Sequence, residues 1–485
     1  METIGLHAKL SFDQVESEGP ATRPLDFHSP IVHRGVRVNA LVVHPTTGQR
    51  DILPGVIHRE SYTNGGGHES HSGSSSGISE EQHHQKQTGG GADPSSKALN
   101  ATESSKSKGG KQGPSSSLHK SSSRESENHD HDTSSSTRSS SSLSRSEDFI
   151  AYFPQRRLQD AIYGSVWACL VLRRHYGPAA DDAARAAGVR PGDRSAPIVW
   201  EIVGRHVAIK MIEWSKVVQS RGRLLEDPVK EIAAMQLIGT EHPNVLGSME
   251  VLQDDDFLFS IMPYARGGDL FGYVVRDTEL RGGEGGMSEP VARYWFKQLL
   301  EGLHFLQAKG ICHRDLSLEN ILVDDDNCLI IDFGMCLRVP YSSKQDPSKI
   351  SDVTSGVMRR LLRPQGTCGK HNYMSPEIFQ NKENFDGFAI DLWAAGVILY
   401  IMLTGFPPYD HATRADQRFE IIVEGQLMDQ LKTWEIEISD DAGDLLQAML
   451  QLSPRDRLSL EQVMNHPWVT NPDVIPPPPA PGSPY

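Results

Sequence analysis

From Ser61 to about Arg145 the chain is Ser, Gly, His and charged residues, with almost no aliphatic side chains. Such a stretch cannot bury enough apolar surface to offset the entropy lost on ordering. It is expected to be disordered over 61–147, and any folded body must form from what flanks it. Its histidines recur at no fixed ligand spacing. Composition changes near Glu147, and from there to about Val469 the chain reads as globular, apart from an Ala/Asp/Arg/Gly/Pro insert over 173–197. The tail, 471–485, is proline-rich and suits an extended polyproline conformation. It and the Ser-rich region are candidate docking segments for partners. Residues 1–60 hold short β-like pieces between Ile31 and Val43 that form a hairpin, dock on the main body, or do neither.

Lys+Arg number 48 against Asp+Glu 63, a net charge of −15. That balance argues against a nucleic-acid partner, which would call for a basic excess. The five cysteines form no C-x-x-C pair, and their number is odd. A disulfide framework or zinc ribbon is therefore not expected. Met1–Leu10 is not a secretory signal, and the best apolar run, Ala394–Leu403, is too short to cross a bilayer. The chain is expected to be soluble and intracellular, cytoplasmic or nuclear, with no membrane partner.

In the globular part, strand signals come first, over Tyr163–Leu172 and Val199–Trp214, rich in β-branched and aromatic residues. Helices follow. Asp227-Pro228 opens one and Gly239 closes it. Ser288-Glu-Pro290 opens another, whose Trp295, Leu299, Leu303 and Leu306 make one apolar face. Strands followed by helices predict an α+β fold with two lobes.

Val207-Ala-Ile-Lys210 lies in a strand pattern, and Glu231 on the helix after it. His313-Arg-Asp315-Leu-Ser-Leu-Glu-Asn320, Asp332-Phe-Gly334 and Ser375-Pro-Glu377 follow. Their order and spacing are those of the protein-kinase signature set. From about Asp148 to Val469 the chain resembles a eukaryotic protein kinase. His242-Pro-Asn-Val245, Asp391-Leu-Trp-Ala-Ala-Gly396 and His466-Pro-Trp468 add to the resemblance. Gly267-Gly-Asp-Leu-Phe271 with Gly405-Phe-Pro-Pro-Tyr409 looks most like the calcium/calmodulin-dependent and SNF1-like serine/threonine branch.

The resemblance implies a two-lobed fold, a small β-rich N-lobe over a larger helical C-lobe over 148–470, using ATP and Mg²⁺ on protein substrates. Lys210 would hold the α/β-phosphates and Glu231 would hold Lys210. Asp315 would orient the acceptor hydroxyl and take its proton, and Asp332 and Asn320 would bind metal. Met262, Ala265, Leu158, Val166, Ala208 and Leu322 would surround the base, and Gly164 would approach the phosphates. Arg457 would pair with Glu377 as a structural brace. Asp269 and Glu319 stand where basophilic relatives read upstream basic residues.

Three departures stand out. In Leu158-Gln-Asp-Ala-Ile-Tyr-Gly164-Ser-Val166, Gln159 and Ala161 replace two glycines of the phosphate-cradling loop. Glycine permits close backbone approach to phosphate, so weaker ATP handling is expected. Ser317 replaces the lysine two residues past the catalytic Asp, while Lys370 replaces a threonine in the activation segment. These two positions touch in the family, so the substitutions read as a swap that keeps a cation in the site, with Lys370 taking the catalytic role. Lastly, the activation segment carries an insert over about 340–364, and a phosphate on Thr367 or a nearby hydroxyl would pair with Arg314. The expected function is an ATP-dependent serine/threonine protein kinase. The alternative is a pseudokinase scaffold.

Overall fold

The computed structural model describes residues 30–60, 150–220, 223–283, 285–339, 341–342, 349–352 and 357–476. The expectations for 61–147 and for the tail past 476 lie outside these residues.

Seven strands close into a barrel in the order β1-β2-β3-β4-β5-β7-β6. They are β1 (His33–Val43), β2 (Arg50–Arg59), β3 (Ile150–Ala161), β4 (Gly164–Arg174), β5 (Val199–Glu213), β6 (Glu250–Gln253) and β7 (Phe257–Pro263). The β-like pieces before residue 60 thus form a hairpin, and it docks. Its second strand pairs with β3 (Ile57↔Tyr152, His58↔Ala151), and its first runs parallel to β6 (His33↔Leu252) and to the start of β5 (Leu41↔Val199).

Strand alternation then sorts the β5 side chains. Val207 and Ile209 point into the barrel with Cys169, Val171, Phe259 and Ile261. Ala208 and Lys210 take the opposite face, toward the second lobe.

The insert over 173–197 folds part of its length as helix α1 (Pro178–Ala186). Ala179 packs on Val43 and Val199, so the insert and the hairpin brace each other. A short helix α2 (Trp214–Ser220) follows, then α3 (Pro228–Ile238). The Asp227 side chain caps α3 by accepting from the Val229 and Lys230 amides, and Gly239 ends it at φ 64°.

The second lobe is helical: α4 (Leu270–Leu280), α5 (Glu289–Ala308), α6 (Pro376–Gln380), α7 (Gly387–Thr404), α8 (Gln417–Val423), α9 (Leu427–Thr433), α10 (Asp440–Met449), α11 (Leu460–Met464) and α12 (Pro467–Thr470). On α5 the predicted face, Trp295, Leu299, Leu303 and Leu306, is buried to within 1% exposure. The apolar run Ala394–Leu403 turns out to be the later part of an 18-residue helix, α7, long and apolar enough to cross a membrane by length and composition. All of α7 is buried in the lobe, which explains its hydropathy without a bilayer. All five cysteines are free and buried.

Candidate active site

β5 and α3 bring the first pair together. Lys210 Nζ donates to both Glu231 oxygens, at 2.7 and 2.6 Å, with side chains 12% and 4% exposed. Burial works against the Lys210 charge, but Glu231 and Asp332 overcome it and hold its pKa above the ordinary value.

Below the sheet, β8 (Ile311–Cys312) runs into the catalytic-loop sequence. α7 fixes that loop through buried Asp391, which accepts from the His313 and Arg314 amides at 2.6 and 2.8 Å. The Asp315 amide donates to His313 Nδ1 (3.2 Å), so His313 Nε2–H is free to donate to the Ile331 carbonyl (2.8 Å). Arg314 and Asp332 adopt φ of 70° and 66°, strained values for side-chain-bearing residues.

Strands β9 (Ile321–Asp324) and β10 (Asn327–Ile330) form the hairpin between Asn320 and Asp332. Asn320 Nδ2 donates to the Asp315 carbonyl at 2.7 Å, leaving its Oδ1 as a free oxygen donor. Burial raises the Asp315 pKa to about 6; the Asp332 charge adds to the rise and Lys370 opposes it.

Asp332 lies close enough to act electrostatically on both Lys210 above and Asp315 below. Lys370 arrives from the activation segment. Its Nζ donates to Ser317 Oγ at 2.9 Å and pairs with Glu319 at 3.0 Å. The two substituted positions therefore meet.

The residues expected around a base are partly gathered. Cross-strand partners share a face. Val166 lies opposite Lys210, and Ala208 opposite Met262, so all four look toward the cleft. Leu322 on β9 bridges to Asp269, and Ala265 is half-buried in the segment that follows β7. Leu158 sits at a register shift between Arg157 and Gln159 and is 37% exposed. Gly164 has a packing reason to lack a side chain: a Cβ there would fall 1.9 Å from the Met211 carbonyl oxygen.

Sequence reasoning missed two participants. Tyr163, at the tip of the β3–β4 turn, is buried and donates its hydroxyl to the Glu226 carbonyl at 2.8 Å. Glu226 lies against Gly334, where a Cβ would meet its Cγ at 2.7 Å. Burial raises the Glu226 pKa to about 7, with Asp332, Glu231 and Asp315 adding and Lys210 opposing. Only its place beside the Asp227-Pro228 cap could have flagged it.

The expected acidic readers both have partners. Asp269 caps α4 through the Gly272 amide (2.7 Å), and Glu319 is held by Lys370. Arg314 gives Nη1 to the Met335 carbonyl, while among the described residues its Nε and Nη2 have no hydrogen-bond partner, beside Lys230 and over the Phe385 ring. Arg457 pairs with Glu377 at 2.9 Å.

Among the described residues no three His, Cys, Asp or Glu side chains converge to hold a metal alone. A divalent cation here would draw on the Asp332 carboxylate, the free Asn320 oxygen and oxygens brought by a nucleotide. That donor set fits Mg²⁺, which takes few carboxylates and keeps phosphate and water ligands.

A β-lobe carrying a lysine–glutamate pair, set over a helical lobe carrying the catalytic-loop carboxylate, defines the class of two-lobed phosphoryl-transfer folds. The protein kinase domain family matches residues 199–469. CBL-interacting protein kinase 16 of Oryza sativa subsp. japonica is 35% identical over 282 residues, 58% of this chain and 54% of that one. Serine/threonine-protein kinase DCLK3 of Mus musculus is 36% identical over 265 residues, 54% and 29% of the two chains. A probable serine/threonine-protein kinase of Dictyostelium discoideum is 33% identical over 272 residues, 55% and 28%. The chain spans about half the length of the first curated relatives it matches, or less. It belongs to the protein kinase family.

Proposed function

We propose that this chain transfers the γ-phosphoryl group of Mg-ATP to serine and threonine hydroxyls of proteins. Lys210 supports this most directly: its ammonium is bonded to both oxygens of Glu231 and feels the Asp332 charge, which also acts on Asp315. Phosphoryl transfer is mostly positioning and charge neutralisation. Lys210 orients the α/β-phosphates. Val166, Ala208, Met262 and Leu322 enclose the base. Bound Mg²⁺, held by Asp332 and Asn320, supplies neutralisation of phosphate charge. Asp315 orients the acceptor hydroxyl; its oxygen bonds to the γ-phosphorus as the bond to the β,γ-bridging oxygen breaks, and its proton passes late to Asp315.

The altered loop favours one second reading, a scaffold without transfer. Gln159 and Ala161 stand where glycines would approach phosphate, and the remaining Gly164 already has a packing role. The test is phosphate transfer from Mg-ATP to a generic protein substrate by the full chain, with Asp332→Asn as the blank. Transfer above the blank supports the kinase, and equal rates support the scaffold.

The raised Asp315 pKa sets the pH profile. Below about pH 6 the carboxyl is protonated and cannot accept the hydroxyl proton. Turnover should rise with pH, level off above neutrality, and show an acid limb at or slightly below pH 6, because a cation on Asp332 removes part of the upward push. A profile flat down to pH 5 would count against Asp315 as the base.

A further inference from the structure

Nothing in the kinase resemblance accounts for residues 30–60, yet they are built into the lobe that carries Lys210. Without them the five strands β3 to β7 would have two open edges, β3 and β6. The hairpin covers both. Val42, Val56 and Ala40 bury against Ala151, Leu172 and Trp200. Arg59 pairs with Glu250 at 2.8 Å, and Arg37 pairs with Asp254 and Asp256 beside β6.

The residues leading into β1 go further, onto α3. Gln236 accepts from the Ile31 amide at 2.9 Å and donates to the Ile31 carbonyl at 2.8 Å, a two-way bond like one rung of a sheet. Val32 packs on the cluster of Ile232, Tyr163, Ile212, Val251 and Leu258. Ile232 and Gln236 are four residues apart and share a face of α3. The strap thus lies along the back of the helix that presents Glu231.

α3 has 11 residues, too short to hold its place by helix propensity alone. The Lys210–Glu231 pair is buried, so it is favourable only in good geometry; a small retreat of α3 would leave two poorly paired charges out of water.

We propose that residues 31–60 are a built-in positioning element for the Lys210–Glu231 pair, clamping α3 in its inward setting through Ile31, Val32 and Gln236. The inference rests on the kinase reading for its activity readout. Gln236→Ala in the full chain removes both bonds to Ile31 and leaves the barrel in place. It should lower kcat/KM for ATP about 3- to 10-fold, with little change in melting temperature and faster amide exchange over 228–238. Leu445→Ala, buried in the second lobe away from the hairpin, should do the opposite, lowering the melting temperature while leaving kcat/KM unchanged well below it.

Wild-type kinetics and wild-type α3 exchange in Gln236→Ala would overturn the clamp. If the unaltered chain transfers no phosphate above the Asp332→Asn blank, the kinase reading fails on its own. Amide exchange then decides the clamp: faster exchange over 228–238 in Gln236→Ala sustains it, and unchanged exchange ends it.

Discussion

Lys370→Ala should lower kcat about 100-fold while the protein melts near its original temperature. Two observations set the size and the selectivity. The Lys370 side chain is 43% exposed and its partner Glu319 36%, and an ion pair that open adds little to stability. Yet the same ammonium donates to Ser317, which is fully buried two residues past Asp315, and its charge holds the Asp315 pKa down. Removing a preorganised donor aimed at developing charge typically costs about 10²–10³ in rate.

The substitution should also move the acid limb of the pH profile. With the Lys370 charge gone, burial and Asp332 act on Asp315 against the hydrogen bonds from Asn320 and the residue-370 amide alone, so its pKa rises and the limb shifts to higher pH. A merely structural lysine would not move that limb. Ser317→Lys combined with Lys370→Thr should recover part of the lost rate, since the cation returns to the same contact from the other side. Lys370→Thr alone frees the Glu319 carboxylate, and on a peptide array it should strengthen a preference for Arg or Lys upstream of the acceptor. Full activity in Lys370→Ala would remove the residue from the chemistry.

The Ser317–Lys370 contact was legible because each residue departs from a known pattern at a position with a defined neighbour. Local signals also served. Asp227-Pro228 opens α3 where a capping side chain and a proline should, and the four-four-three spacing on α5 marks a buried face.

Pairing between distant segments left no such trace. Ile57 and Tyr152 are cross-strand neighbours with residues 61–149 between them, and nothing in either strand specifies the other. β1 meets β5 in parallel over three residues, too few to leave a pattern. Hydropathy understated α7, because Gly387 and Asp391 interrupt the apolar count while being buried with the rest of the helix. Asp391 is there to hold the catalytic loop. Gly164 shows that one residue type can have two causes: a phosphate-cradling role fits its place in the loop, while the Met211 carbonyl demands it by contact alone.

Arg457→Met should destabilise the fold by about 3–5 kcal/mol, a fall in Tm of about 4–7 °C for a folded body of this size. The Arg457 side chain is wholly buried and Glu377 is 14% exposed. The guanidinium donates to both Glu377 oxygens (2.9 and 3.3 Å), to the Ala389 carbonyl (2.7 Å) and to the Gln451 carbonyl (3.1 Å). It also lies over the Trp393 ring at 4.9 Å. Methionine can fill much of the volume but donates nothing, so a carboxylate and two carbonyls lose their partner inside the lobe.

A stranded charge, rather than lost packing, should dominate that cost. Glu377→Gln in the Arg457→Met background should therefore recover stability, because it removes the unpaired carboxylate. Arg457→Lys should fall between, keeping the charge but not the planar fork that reaches three acceptors at once. Because Glu377 opens α6 directly after the activation segment, and the Tyr409 hydroxyl holds the Met374 carbonyl at 3.1 Å nearby, the loss should appear first as faster amide exchange over 371–380. Chemical denaturation of the wild type, Arg457→Met, Glu377→Gln and the double variant completes the cycle. A loss below 1 kcal/mol in Arg457→Met, or a double variant no more stable than the single, would show that the ion pair does not brace this lobe.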